Sequence, residues 1–151
     1  MNTIAIIQAR MDSTRLPGKV LKKIGEYTIL DLIYKRLKQS KEVDKIIIAT
    51  SINKSDDKII DFCQLNNIEY YRGSEDNVLD RFYNASLINK GTDIVRITAD
   101  CPLVDPKIVD KAIRLYRETS VDYLSNVCPP TYPDGYDVEV FSMEALIKSH
   151  K

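Results

Sequence analysis

Thr3-Ile4-Ala5-Ile6-Ile7-Gln8 is a short apolar run, rich in β-branched residues, that passes directly into Ala9-Arg10. A run this short, apolar on both alternating faces, reads as a strand buried on two sides, as in a parallel sheet covered by helices. The pattern then repeats along the chain. Lys45 to Thr50 (K-I-I-I-A-T) is a second buried strand, Ile68 to Arg72 a third and Asp93 to Thr98 a fourth. Between them lie amphipathic stretches. Thr28 to Gln39 carries Leu30, Ile33, Tyr34 and Leu37 on one face, with Thr28 and Asp31 as a capping-box-like pair. A second helix follows a Ser55 cap, with Asp56 and Asp57 in its positive first turn. A third runs from Asp76 to Lys90 and stops at Gly91, and Asp105-Pro106 supplies N-cap and N1 for a fourth, ending near Glu118. Val121 to Asn126 and Asp137 to Phe141 are further strand candidates, separated by the Pro-rich loop Cys128 to Gly135. Alternation of this kind calls for right-handed crossovers and a mainly parallel sheet, so residues 1–151 are expected to form one α/β domain.

The whole sequence bounds the function classes. Its 151 residues can bury roughly two thirds of the unfolded surface. With 44% apolar and 29% charged residues, the composition is globular. Lys plus Arg and Asp plus Glu each total 22, a balance that argues against a general nucleic-acid or anionic-membrane binder. Apolar runs reach only four residues, too short for a transmembrane helix, and the N-terminus has no basic and apolar signal pattern. A cytoplasmic location is the expectation. Cys63, Cys101 and Cys128 are widely spaced, as reduced thiols would be, and His150 is the only histidine. A His-based zinc site or a Ser-His-Asp triad is therefore not expected.

In open α/β sheets ligands bind beyond the C-terminal ends of the strands, which places the chemistry in the loops after Gln8, Thr50, Arg72, Thr98 and Asn126. The first is Q-A-R-M-D-S-T-R-L-P-G-K-V-L, Gln8 to Leu21. Arg10, Arg15 and Lys19 surround a Pro17-Gly18 pair suited to a type II turn, whose exposed N–H groups and flanking cations can meet phosphate oxygens. The loop has neither the three glycines of a dinucleotide fingerprint nor the spacing of a Walker A motif. The same residues would also suit a solvated basic loop. In T-A-D-C-P, Asp100 follows a strand expected to be central; it could ligate Mg²⁺ beside a bound triphosphate or merely cap the turn before Pro102.

The segment Ala9 to Leu21, A-R-M-D-S-T-R-L-P-G-K-V-L, resembles the signature of sugar-acid cytidylyltransferases, especially A-R-x-x-S-x-R-L-P-G-K of the deoxy-manno-octulosonate enzymes, to which the acylneuraminate enzymes are related. R-G-S-E-D-N-V-L-D-R-F (Arg72 to Phe82), R-I-T-A-D-C-P-L-V-D (Arg96 to Asp105) and Y-P-D-G-Y-D-V-E-V-F-S (Tyr132 to Ser142) are similar to the SpsF branch, named for spore-coat polysaccharide biosynthesis. The resemblance implies a GT-A-like, Rossmann-related nucleotidyltransferase fold and transfer of CMP from CTP to a sugar acid. It implies that Arg10, Arg15 and Lys19 contact the triphosphate, that Ala9 and Arg10 present backbone to the base, and that Asp100 binds Mg²⁺. It also puts Arg72, Gly73 and Ser74 beside the nucleotide, and Asn126, Asp137 and Glu139 on the sugar side. Glu139 could equally be the polar face of a strand, and Tyr132 and Tyr136 either stack on a sugar or cover the loop.

Members of that family run well past this length and take a second metal-binding carboxylate and a dimer-forming region from the later part. A chain ending at Lys151, within a helix that begins at the Ser142 cap, is thus expected to be C-terminally truncated. It would bind nucleotide but turn over slowly, with a homodimer in doubt. Two other readings stand beside this one. A GT-A glycosyltransferase would use D-V-E at Asp137 as a D-x-D-like motif and leave R-L-P-G-K unexplained; a non-catalytic nucleotide-binding module would bind without releasing pyrophosphate.

Overall fold

A computed structural model of the chain describes residues 1–13 and 15–151; Thr14, within the first loop, lies outside the described residues. The main sheet has six strands. Four are parallel: β1 (Thr3–Gln8), β4 (Lys45–Ser51), β5 (Tyr70–Gly73) and β6 (Asp93–Thr98). Two more, β7 (Tyr123–Ser125) and β8 (Glu139–Ser142), extend it by antiparallel pairing, giving the order β5-β4-β1-β6-β8-β7. A separate two-residue hairpin, β2 (Lys23–Ile24) and β3 (Tyr27–Thr28), follows the first loop.

The alternation along β1 explains the layering. Ala5 and Ile7 pack with Ile48, Val95 and Ile97 under helices α1 (Ile29–Leu37), α2 (Asp57–Leu65) and α4 (Pro106–Thr119). Ile6 turns the other way, joining Ala49 and Ile94 under α3 (Val78–Ile88) and α5 (Met143–His150). Both faces are covered, so the strand has no polar side, as its sequence required. No helix among the described residues is long and apolar enough to cross a membrane.

Most helix ends follow their side chains. Thr28 accepts the Asp31 N–H at 3.1 Å, Asp105 that of Lys107 at 2.8 Å and Ser142 that of Ala145 at 2.9 Å. The last of these opens α5, a two-turn helix that would not persist alone. Its support comes from α3: Leu146 is buried beside Phe82 and Ala85, His150 Nε2 lies 2.9 Å from Asp80 Oδ1, and the His150 ring stacks on Tyr83 at 4.1 Å.

Several sequence expectations need correction, among them the strand candidates Val121 to Asn126 and Asp137 to Phe141, which shorten to Tyr123–Ser125 and Glu139–Ser142. Ser55 does not cap α2; a 3₁₀ turn at Lys54–Asp56 precedes the helix and swings Asp56 inward, leaving it 1% exposed. Helix α3 begins at Val78, because Asn77 rather than Asp76 supplies the cap, accepting the Asp80 N–H at 2.9 Å. The third strand begins at Tyr70, since Ile68 is drawn into the core under α2. At the end of α3 it is Lys90 that takes the positive φ, 55°, while Gly91 is required for space: a Cβ there would overlap Cγ1 and Cδ1 of Ile4.

Gly91→Ala should therefore destabilise the fold by about 1–3 kcal/mol through overpacking. Thermal unfolding of Gly91→Ala, Ile4→Ala and the double variant checks this: the double variant should lose less than the sum, and strict additivity would place the strain elsewhere.

Candidate nucleotide site

β1 is the switch point of the sheet. The connection after β1 leads through α1 to β4 on one side, whereas the connection after β5 crosses back through α3 to β6 on the other. The loops leaving β1 and β6 diverge there, and a crevice opens at their carboxyl ends. Their last residues, Gln8 and Thr98, are partners in register, so the two loops start at the same level.

The first loop is fastened at both ends. Ala9 is buried and its N–H donates to the Ala49 carbonyl at 3.0 Å; Val20, at the far end, is 2% exposed in the core. The Met11 N–H donates to Asp56 Oδ1 at 2.6 Å, and Asp12 accepts the Ser55 hydroxyl at 2.8 Å. The turn forms as Pro-Gly chemistry demands: Gly18 has φ 67° and ψ 16°, and the Lys19 N–H donates to the Leu16 carbonyl at 3.2 Å. Gly18 also donates to the Met11 carbonyl at 2.8 Å, which folds the loop back on itself and leaves Arg15 exposed at its tip.

The crevice divides into two adjoining hollows. The first, of about 270 Å³, is lined by Gln8, Arg10, Asp12, Ser13, Arg15, Lys19, Arg96, Thr98 and Asp100 among others. It holds four cations against two carboxylates, which suits an anion. The second, of about 700 Å³, adds Cys101, Leu103, Asp134, Gly135 and Asp137. Ser13, Arg15, Lys19, Thr98 and Asp100 belong to both. At this shared wall Lys19 Nζ donates to Asp100 Oδ2 at 2.9 Å, uniting the two residues that the sequence reading put on opposite loops.

These surroundings set the charges. Burial pushes the Asp100 carboxyl up, but the Lys19 hydrogen bond and charge, the Thr98 hydroxyl and its own N–H together hold it below the usual carboxylate range. Asp137 moves the other way: burial raises it, and the negative charges of Asp134, Asp100 and Glu139 raise it further. Asp56 is burdened by burial, yet the hydroxyl and N–H of Ser51, the Met11 N–H and the Thr50 hydroxyl lower its carboxyl on balance.

The other expected site residues are spread more widely. Arg72 is occupied at the sheet edge, donating to the carbonyls of Ser51 at 3.0 Å and Asn53 at 2.9 Å and pairing with Asp57 at 2.8 Å. The Gly73 carbonyl accepts from Ile52, and Ser74 accepts from Asn77 N–H; none of the three lines either hollow. Asn126 pins the proline loop, donating to the Tyr136 carbonyl at 2.7 Å and accepting from Val138 N–H at 2.9 Å. Glu139 pairs with Arg96, its partner in register, and accepts the Tyr123 hydroxyl at 2.9 Å. Tyr132 lies against Lys111 of α4, 3.2 Å from its ammonium. Of the sugar-side expectations, Asp137 alone lines the second hollow.

Sequence reasoning missed Arg96 and Asp56. A charged residue set among Ile94, Val95 and Ile97 within a strand was a visible signal for the first. For Asp56 there was none, since an acidic pair at a helix start is ordinarily a solvent-facing feature.

Comparison with known proteins bears on the family and the fold. The family model for cytidylyltransferases matches residues 4–150. The spore coat polysaccharide biosynthesis protein SpsF of Bacillus subtilis is 43% identical over 128 residues, covering 82% of this chain and 53% of that protein. A 3-deoxy-manno-octulosonate cytidylyltransferase from Pelobacter propionicus is 31% identical over 117 residues, covering 76% and 44% respectively. The structure of a cytidylyltransferase from Leptospira borgpetersenii superposes with a TM-score of 0.92 at 37% identity, covering 98% of this chain and 63% of that one. The chain thus spans about half the length of the curated relatives it matches.

The Lys19–Asp100 pair makes a direct prediction. Lys19→Met should raise the Asp100 carboxyl toward the ordinary range, as followed by carboxyl-carbon NMR against pH. The pair's stabilisation, present above the unfolded carboxylate pKa and lost as pH falls through the lowered folded value, should disappear with it. An unmoved Asp100 titration would show that Thr98 and the backbone, rather than Lys19, hold it down.

Proposed function

The chain belongs to the cytidylyltransferase family, and from that premise we propose that it transfers CMP from CTP to a sugar acid in surface polysaccharide biosynthesis, releasing pyrophosphate. The observation that carries the reading is the meeting of Lys19 and Asp100 across the crevice at 2.9 Å, which pairs a cation suited to phosphate with a carboxylate suited to a hard metal ion. Arg10, Arg15 and Lys19 bind the triphosphate in the first hollow, where Arg96 adds a fourth positive charge. The base lies toward Ala9 and Arg10. The sugar acid enters the second hollow beside Asp137.

There a sugar hydroxyl attacks the α-phosphorus in line. The new O–P bond forms as the bond to the β-phosphate oxygen breaks, the hydroxyl proton passes to solvent, and pyrophosphate leaves. Arg15 and Lys19 offset the charge that collects on the leaving group, so positioning and electrostatics supply the catalysis.

Mg²⁺ fits this edge by donor chemistry. Asp100 and Thr98 offer hard oxygen atoms. Among the described residues no group of three or more His, Cys, Asp or Glu is gathered to hold an ion. A cation that keeps waters and substrate phosphates as ligands suits so small a protein contribution. Bound Mg²⁺ would neutralise phosphate charge, and Asp100 is the residue that would hold it.

Arg15→Ala and Lys19→Ala should each weaken CTP binding by about 10- to 150-fold, the equivalent of roughly 1.5–3 kcal/mol per charge-assisted contact, with little effect on cytidine. Titration of CTP, CMP and cytidine into each variant checks this; equal losses for all three would mean that the loop holds structure and not phosphate. Asp100→Asn should remove the Mg²⁺ dependence of CTP binding while leaving the fold intact, because an amide is a poor ligand for a hard dication. Binding of Mg²⁺–CTP at parental strength would reduce Asp100 to a turn residue. Pyrophosphate release on offering sugar acids separates the proposed reaction from nucleotide binding without catalysis.

A further inference from the structure

The side chains of R-G-S-E-D-N-V-L-D-R-F, Arg72 to Phe82, work away from the crevice. Arg72 holds the carbonyls of Ser51 and Asn53, and Glu75 pairs with Asn53. Arg81, 1% exposed, donates to the Ser74 carbonyl at 2.6 Å and fixes the loop that carries Glu75. All of this bears on one short stretch, the junction between β4 and α2.

That junction reaches the crevice through Asp56. Its Oδ2 accepts three donors within the junction: the Thr50 hydroxyl at 2.9 Å, the Ser51 N–H at 3.0 Å and the Ser51 hydroxyl at 2.6 Å. Its Oδ1 accepts the Met11 N–H at 2.6 Å, between Arg10 and Asp12 of the first loop. The neighbouring Ser55 hydroxyl donates to Asp12 at 2.8 Å, a second fastening of the same loop.

We infer that Asp56 is a positioning residue for the phosphate loop, with Ser55 as its auxiliary: the junction fixes the Met11 amide and Asp12, and thereby sets Arg10 at the rim of the first hollow. This rests on the reading of that hollow as a triphosphate site. The division of donors between the two oxygens explains why a carboxylate is used. An asparagine would keep its single oxygen where three donors converge and turn its NH₂ toward the Met11 N–H, donor against donor. Charge alone argues for the opposite outcome. A buried anion beneath a loop that receives a polyanion repels it, so an amide in its place would tighten binding if electrostatics ruled.

The sign of the Asp56→Asn effect therefore decides. Positioning predicts CTP binding weaker by about 10- to 100-fold, on the scale of a displaced contact set. The control is Thr50→Val, which removes one donor to Oδ2 and leaves the Met11 fastening alone; at a similar loss of Tm it should change CTP affinity by less than about threefold. Unchanged or tighter binding in Asp56→Asn, or equal weakening in Thr50→Val, would overturn the inference. Amide hydrogen exchange at Met11, measured without ligand, should lose protection in Asp56→Asn and keep it in Thr50→Val; retained protection in both would also overturn it. If the parent chain fails to bind CTP while Met11 exchange behaves as expected, the triphosphate reading fails and the fastening stands. Should Asp56→Asn not fold, Ser55→Ala tests the second fastening in the same assays, with a smaller loss of about two- to fivefold expected and no loss contradicting it.

Discussion

Parallel pairing of β1 with β6, residue for residue from Thr3 and Asp93 to Gln8 and Thr98, is the constraint on which the site depends. Because both strands run the same way and end together, the loops that follow them emerge side by side. Lys19 and Asp100, eighty-one positions apart in sequence, meet there at 2.9 Å. The pairing is itself sustained by helices on both faces, since β1 has apolar side chains in both directions and gains stability only when each is covered. Packing thus fixes the chemistry: a slip of β6 by one residue would turn Arg96 away from the crevice and Ile97 into it.

The crevice concentrates positive charge, and that carries a cost the fold must offset. Arg81 is almost fully buried and is hydrogen-bonded to carbonyls; burial lowers its pKa, the nearby Arg10 lowers it further, and Asp56 and Glu75 act in the opposite direction. Arg96, at the floor of the first hollow, is balanced by Glu139 from the antiparallel strand β8. Arg96 is thus steadied by a carboxylate from the neighbouring strand. Lys19 instead meets Asp100 across the crevice itself, each satisfying the other.

The layering was legible in the sequence because buried parallel strands leave continuous β-branched runs, and because Thr28, Asp105 and Ser142 cap the helices that follow them. The Pro17-Gly18 turn was legible for a similar reason, since few residues other than glycine adopt φ 67° without strain. Residues whose partners arrive from far along the chain were not. Glu139 is a plausible sugar contact until β8 sets it opposite Arg96, and Arg72 a plausible nucleotide contact until the 51–57 segment engages each of its three guanidinium nitrogens. Gly91 looked like a helix stop and proves to be the space Ile4 needs. Asp56 shows the limit most clearly: whether an acid at a helix start faces water or the interior depended on a single 3₁₀ turn.

The central claim is that a triphosphate binds between the loops leaving β1 and β6. Backbone amide NMR of the chain titrated with Mg²⁺–CTP tests it most directly. The account predicts saturable shifts concentrated in Ala9 to Lys19 and Thr98 to Cys101, with weaker ones reaching the 51–57 junction. Shifts centred instead on the apolar groove between α4 and β7, at Leu115, Leu124 and Tyr132, would contradict it.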